Sequence, residues 1–154
     1  MSEKIQAVIS GSFKYKPEID SAIDELSQQG VTVLEPTKGW LIIPPHELKH
    51  YTAQGRLRPL PTEENQTAKE IENRFLRAID KSHFMYVMNT EGYIGTSTAM
   101  EIGYALPKEV ALYAREPFDF DSMEIYDVTM RRLLSEAFTV LPPDEVVAHY
   151  RSRT

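Results

Sequence analysis

A single acid, Glu101, follows a run of glycines and hydroxyl side chains in the segment GYIGTSTAMEIGYA, residues 92–105. Near the start of a helix, free N–H groups keep a carboxylate ionised, and an ionised carboxylate can act as a nucleophile. The same spacing also has a structural explanation. Thr98 and Glu101 are three residues apart, as in a capping box, in which the threonine accepts a hydrogen bond from the glutamate N–H and the glutamate reaches back. Spacing alone favours the capping box, and the two roles are compatible.

A second polar segment, SGSF at residues 10–13, follows the apolar run IQAVIS at residues 5–10. Glycine lets the backbone approach a ligand and hydroxyls add donors for a phosphate, although an ordinary strand-to-helix turn has the same composition. Neither G-x-x-x-x-G-K-[ST] nor G-x-G-x-x-G occurs in the chain. We expect a ligand to meet both polar segments, at Ser10, Gly11, Ser12 and Phe13 in the first and at Asn89, Gly95, Ser97 and Thr98 in the second.

The elements that must position these segments alternate between strand and helix. The sequence predicts strands at 5–10, 31–36, 83–89, 110–114 and 138–141, and helices at about 17–30, 63–82, 98–106, 121–137 and from Pro143. Such alternation implies parallel pairing with right-handed crossovers, and therefore an α/β three-layer sandwich with a Rossmann-like, doubly wound parallel sheet of about five strands. Ligands of these sheets bind beyond the carboxyl ends of the strands, where both polar segments should lie.

An irregular stretch, about residues 37–62, separates the second strand from the second helix and contains several prolines. Loops of this length in a compact domain usually serve as lids or binding loops. We expect its Trp40 and Tyr51 to pack against the core rather than to stack on a base. His46 and His50 have i, i+4 spacing, but the prolines before them and the lack of a nearby third ligand argue against a metal site.

The composition sets limits on the classes of function. The chain has 154 residues, of which 42% are hydrophobic and 26% charged, as in one ordinary globular domain covering residues 1–154. It has no cysteine, which excludes disulfides, thiolate metal sites and a cysteine nucleophile, and a cytoplasmic location is the default expectation. A net charge of -6 disfavours nonspecific binding to nucleic acid, and no segment approaches the roughly 20 apolar residues of a membrane span. A small ligand with one phosphate is compatible with this charge.

Together, SGSF, IDKSHFMYVMN and GYIGTSTAMEIGYA resemble the nucleoside 2-deoxyribosyltransferase superfamily, including its deoxynucleoside 5′-monophosphate N-glycosidases. The resemblance covers about residues 5–115, and its sharpest element is the pattern [GS]-T-x-x-E-x-G-x-A at residues 97–105. A shorter glycine-threonine-glutamate pattern also marks the cytokinin-activating phosphoribohydrolases. The resemblance implies that Glu101 attacks the anomeric carbon of a nucleoside or nucleotide, that SGSF and Ser97 hold the sugar or its 5′-phosphate, that no cofactor is needed, and that the protein is a homodimer.

The chain departs from this family at Phe75, where an aspartate is common on the helix before the central strand. A phenylalanine can neither donate a proton nor position a sugar hydroxyl. Asp80, His83 or Tyr93 could replace the aspartate, and Tyr93, next to the loop of the glutamate, is the first choice as a catalytic partner. The glycine-aspartate lead-in of many transferases is also replaced, here by residues 91–95. Hydrolysis is therefore favoured over transfer.

The alternative function is a noncatalytic nucleotide-binding or sensing module that uses the same two polar segments, and Phe75 supports it. A third interpretation is an interaction scaffold with a vestigial pocket. An enzyme would release free base and lose that activity when Glu101 is replaced, whereas a sensor would bind nucleotide unchanged.

Overall fold

The computed structural model describes residues 4–12, 15–35 and 67–153, and these residues contain five strands and five helices. The strands are β1 (Gln6–Gly11), β2 (Thr32–Val33), β3 (Phe84–Met88), β4 (Ala111–Ala114) and β5 (Thr139–Val140). The helices are α1 (Lys16–Gln28), α2 (Ala68–Asp80), α3 (Thr96–Ala105), α4 (Val128–Ala137) and α5 (Pro143–Arg151). A short 3-10 turn, Thr90–Gly92, follows β3.

The five strands form one sheet in the order β2-β1-β3-β4-β5, and every pair is parallel. One face of the sheet packs against buried residues of α1 and α5, and the other packs against buried residues of α2, α3 and α4. The predicted α/β three-layer sandwich is therefore confirmed. The chain leaves β1 toward β2 on one side and returns to β3 on the other, so the strand order reverses between β1 and β3.

The helix that carries Glu101 begins earlier than the sequence predicted. Its N-cap is Gly95, which makes no side-chain cap, and the first helical residue is Thr96. Thr98 is thus inside the helix rather than at its N-cap, and the predicted capping box is wrong. The physical reason is tertiary packing: Thr98, Glu101 and Ile102 are buried on one face of α3, so the glutamate faces the core instead of the helix terminus.

Other element boundaries also differ from the predicted ones. The second strand has only two paired residues, and α4 begins at Val128 because Asp127 caps it, its carboxylate accepting a hydrogen bond from the Met130 N–H at 2.8 Å. The whole of the predicted loop at 37–62, with Trp40, Tyr51, His46 and His50, lies outside the described residues. None of the helices within the described ranges is long and apolar enough to cross a membrane.

Asp80, at the end of α2, joins that helix to the segment after α3. Its carboxylate lies 2.7 Å from the Lys108 ammonium and accepts hydrogen bonds from the Tyr104 hydroxyl at 3.1 and 3.0 Å. The Lys108 ammonium also lies 4.3 Å from the centre of the Tyr104 ring. The hydrogen bond from Lys108, and to a smaller extent that from Tyr104, holds the pKa of Asp80 below its ordinary value.

This pKa shift predicts a pH-dependent contribution of Asp80 to stability. Because the folded-state pKa is lowered, the stabilisation is present above the unfolded-state pKa of about 4 and is lost as pH falls through the folded-state value. We expect Asp80→Asn to lower the melting temperature at pH 7 by a few degrees at most, since the pair is exposed, and the deficit should vanish in acid. Thermal unfolding across this pH range tests the prediction, with Asp24→Asn on the exposed face of α1 as control. A deficit that stays constant with pH would contradict it.

Candidate functional site

The carboxylate of Glu101 lies at the carboxyl edge of the sheet, beside the end of β1. The Ser10 hydroxyl donates a hydrogen bond of 2.5 Å to Glu101 Oε1. Glu101 is fully buried and Ser10 is 2% exposed, so water does not compete for this bond. Ser10 pairs with Val87 in the register of β1 and β3, which places the bond where the strand order reverses. In a doubly wound sheet, this is the place where ligands bind.

Buried polar side chains are concentrated at this edge. Of the buried polar or charged residues in the described part of the chain, Ser82 lies near the amino end of β3, and the others are Ser10, Asn89, Thr98 and Glu101. Burying a polar group is unfavourable unless it is hydrogen-bonded, and for a carboxylate the penalty is larger. A cluster of this kind is therefore a stronger indication of a site than any one of its residues.

The glycines of the two segments have different surroundings. A Cβ on Gly11 would lie 3.0 Å from the Met88 carbonyl oxygen and 3.2 Å from Ile19 Cδ1, so close packing of β1 on β3 and α1 accounts for glycine here. A Cβ on Gly95 would meet only the Tyr93 hydroxyl, at 3.9 Å. Gly95 and the exposed Ser97 lie at the N-terminus of α3, and its first N–H groups have no side-chain cap. Phe13 lies outside the described residues.

Asn89 joins the end of β3 to the segment after β4. Its side-chain amide donates to the Glu116 carbonyl at 2.6 Å, and its side-chain oxygen accepts from the Glu116 N–H at 3.0 Å. The side chain is fully buried. These bonds explain Asn89 as a clamp between two loops, and a contact between its side chain and substrate stays a prediction.

Tyr93 lies on the surface beside this edge, with 36% of its area exposed. Its ring meets that of Tyr15 edge to face, with the centroids 6.5 Å apart. The Tyr15 hydroxyl in turn lies 3.4 Å from Glu91 Oε2. Tyr93, Tyr15 and Glu91 therefore form an aromatic and acidic cluster that joins the segments after β1 and β3.

The other candidates for a second catalytic group lie elsewhere. Asp80 and His83 precede β3 and therefore lie at the amino edge of the sheet, opposite Glu101. His83 Nδ1 accepts a hydrogen bond from the Gln6 N–H at 3.0 Å, and Asp80 is engaged by Lys108 and Tyr104. The topology thus rules out both as partners of Glu101. Phe75 is 1% exposed and belongs to the apolar core between the sheet and α2.

Two residues of this edge, Tyr15 and Glu91, were not among the site residues that the sequence predicted. The sequence could have indicated Glu91 as a site residue, because it is an acid directly before glycine and lies three residues beyond the end of β3. Tyr15 has no such indication beyond its position at the start of α1, since it joins the cluster only through tertiary contact.

An apolar groove of about 740 Å³ lies between α3 and α4, lined on α3 by Ala99, Ile102 and Gly103 and, directly after the helix, by Leu106. Neither Glu101 nor Ser10 lines it. Its apolar lining provides little to polarise a bond, so we place the candidate site at the sheet edge rather than in this groove.

No family model matches the chain, and no curated protein matches it. Among solved structures, it is similar to a conserved protein from Enterococcus faecalis V583, with a TM-score of 0.55 and 12% identity, covering 99% of this chain and 100% of that chain. It is also similar to the CMP N-glycosidase BcmB of Clostridium botulinum, with a TM-score of 0.49 and 14% identity, covering 96% of this chain and 95% of that chain. The first of these similarities shows a shared α/β fold over nearly the whole of both chains.

Proposed function

We propose that this protein cleaves the N-glycosidic bond of a nucleoside or nucleoside 5′-monophosphate, by hydrolysis, with Glu101 as the nucleophile. The observation that carries the proposal is the fully buried carboxylate of Glu101, which accepts a hydrogen bond from Ser10 at the point where the strand order reverses. The sequence pattern at residues 97–105 supports the same reaction through its resemblance to the deoxyribosyltransferases.

Burial suits Glu101 to this role. A carboxylate shielded from water interacts more strongly with the positive charge that develops on a sugar as its glycosidic bond breaks. The Ser10 hydroxyl fixes the position of Oε1 before the substrate arrives. Because Glu101 is fully buried, substrate must displace the groups that cover it, and its entry therefore also removes water from the reacting atoms.

The N-terminus of α3 is the proposed binding site for the sugar or its 5′-phosphate. The uncapped N–H groups after Gly95, with the exposed hydroxyl of Ser97, would hold the sugar or a 5′-phosphate. Ser12 and the buried Thr98 belong to the same two segments. Tyr93 would lie over the entrance beside Gly95, as its hydroxyl position near that glycine supports.

A noncatalytic nucleotide-binding or sensing module is the second candidate. Phe75 favours it, because an apolar core residue stands where the family commonly has an aspartate. The homodimer and the cytoplasmic location stay predictions.

The proposal predicts that base release depends on Glu101. Purified protein is incubated with ribo- and deoxyribonucleosides and their 5′-monophosphates, and free base is followed by chromatography. We expect release from at least one member of the panel, and a fall of roughly 10³-fold or more in Glu101→Gln because the attacking oxygen is replaced. Glu70→Gln, an exposed glutamate near the start of α2, is the matched control and should behave as wild type.

A different result would favour the second candidate. If no base is released while a thermal shift on nucleotide binding is retained in Glu101→Ala, the protein is a binding module and Glu101 is structural. If there is neither release nor binding, both candidates are contradicted.

The bond between Ser10 and Glu101 predicts a linked loss of stability and rate. Ser10→Ala removes a buried donor from a carboxylate, and we expect a loss of about 2 kcal/mol in the free energy of unfolding and a lower kcat. Ser82→Ala, which removes a buried neutral bond of 2.8 Å to the Ala78 carbonyl, should lose about 1 kcal/mol with kcat unchanged. Urea unfolding and steady-state kinetics measure both quantities. Equal effects of the two substitutions on kcat would contradict a positioning role for Ser10.

A further inference from the structure

Glu91 has a backbone conformation that residues with a Cβ rarely adopt. Its φ is 61° and its ψ is 16°, in the left-handed region, and the next residue, Gly92, has a φ of 78°. Non-glycine residues in this region are uncommon, and backbone strain of this kind is concentrated at functional sites. The conformation therefore calls for an explanation from the surroundings of Glu91.

The loop is held in this conformation from the side of β4. The Glu91 N–H donates to a carboxylate oxygen of Glu116 at 2.8 Å, and the Asp119 N–H donates to the Gly92 carbonyl at 3.0 Å. A Cβ on Gly92 would lie 2.6 Å from the Asp119 nitrogen, so only glycine fits there. With its backbone fixed on one side, the Glu91 side chain projects toward the other.

That side chain reaches across the crevice between the ends of β3 and β1. Its Oε2 lies 3.4 Å from the hydroxyl of Tyr15, and the Tyr15 N–H donates to the Ser12 carbonyl at 2.9 Å, just after β1. Glu101 also reaches to this side, through Ser10. Glu101, on α3, thus meets the end of β1, and Glu91, after β3, meets the segment that follows β1. Glu101 is fully buried and Glu91 is exposed to solvent.

Cleavage through a covalent intermediate uses two carboxylates with different roles. One is the nucleophile, and the second takes a proton from the water that hydrolyses the glycosyl-enzyme. We propose that Glu91 is the general base of this second step, an inference that rests on the function proposed above. The Tyr15 hydroxyl donates to the Glu91 carboxylate and orients it.

Hydrolysis of the glycosyl-enzyme returns Glu101 to its free form. Glu101 holds the sugar by an ester bond from a carboxylate oxygen to the anomeric carbon. The oxygen of water forms a bond to that carbon while one proton of the water moves to the Glu91 carboxylate. The bond from the anomeric carbon to Glu101 breaks with its electron pair on Glu101, which is regenerated as a carboxylate, and the free sugar leaves.

The test compares Glu91→Gln and Glu91→Gly with wild type on the substrate that the nucleoside panel identifies. Without the base, the first turnover proceeds and the second step is slow, so we expect a burst of free base equal to the enzyme present, followed by turnover about 10² to 10⁴-fold slower. Sodium azide should restore turnover and give a glycosyl azide, because azide attacks without losing a proton.

The glycine variant separates chemistry from folding. Glycine adopts the left-handed conformation without strain, so Glu91→Gly should melt at or above the temperature of wild type. The matched control is Glu124→Gly, since Glu124 also has a left-handed φ, of 56°, and lines the apolar groove, which neither Ser10 nor Glu101 lines. It should change the melting temperature in the same direction and leave turnover unchanged.

The outcomes are distinguishable. If both Glu91 variants turn over within about twofold of wild type, or are slow without rescue by azide, Glu91 is not the base, while loss of base release in Glu101→Gln still supports the proposed function. If wild type releases no base from any substrate, the proposed function fails and the role of Glu91 fails with it.

Discussion

The hydrogen bond between the Ser10 hydroxyl and the Glu101 carboxylate is the interaction on which the site depends. A carboxylate with no exposed surface is strongly unfavourable without such partners, so the bond determines how α3 must approach the end of β1. The sheet order then places this bond between the two strands where the connections diverge. Because Ser10 lies in β1 and Glu101 lies in α3, the site is part of the fold rather than an addition on a loop.

The segment after β4 holds the turn after β3 in position. Asn89 ties the end of β3 to Glu116, and Gly92 packs directly on the backbone at Asp119. These contacts fix the short turn after β3, and with it the positions of Glu91 and Tyr93. The edge of the sheet is thus held rigidly on the β4 side.

The sequence was sufficient for the architecture because the period of its apolar residues changes between strand and helix. The central strand was predicted within one residue at each end, since all five of its residues are apolar and buried. The capping box failed because the packing of α3 on the sheet, rather than local spacing, determines where the helix begins: Thr96, Ser97 and Thr98 are three successive hydroxyl residues, and none of them is the N-cap. The helical spacing of the buried residues indicates instead that Glu101 faces the core; these residues are Thr98, Glu101, Ile102 and Ala105.

The candidate site was less predictable than the fold. That Asp80 and His83 are at the wrong edge follows from topology alone, because a residue before a parallel strand lies at its amino end. The contact between Glu91 and Tyr15 joins residues 76 positions apart and depends on a left-handed turn, which propensity does not reveal. Phe75 is explained by packing, since it is buried in the core between α2 and the sheet.

Whether Glu101 is the nucleophile is tested by the mass of the protein during turnover, from acid-quenched reactions that are digested and mapped by mass spectrometry. We expect the peptide containing Glu101 to gain the mass of one sugar residue, and the same peptide of Glu101→Gln to gain none. Base release without any adduct, or with an adduct on another residue, would contradict Glu101 as the nucleophile.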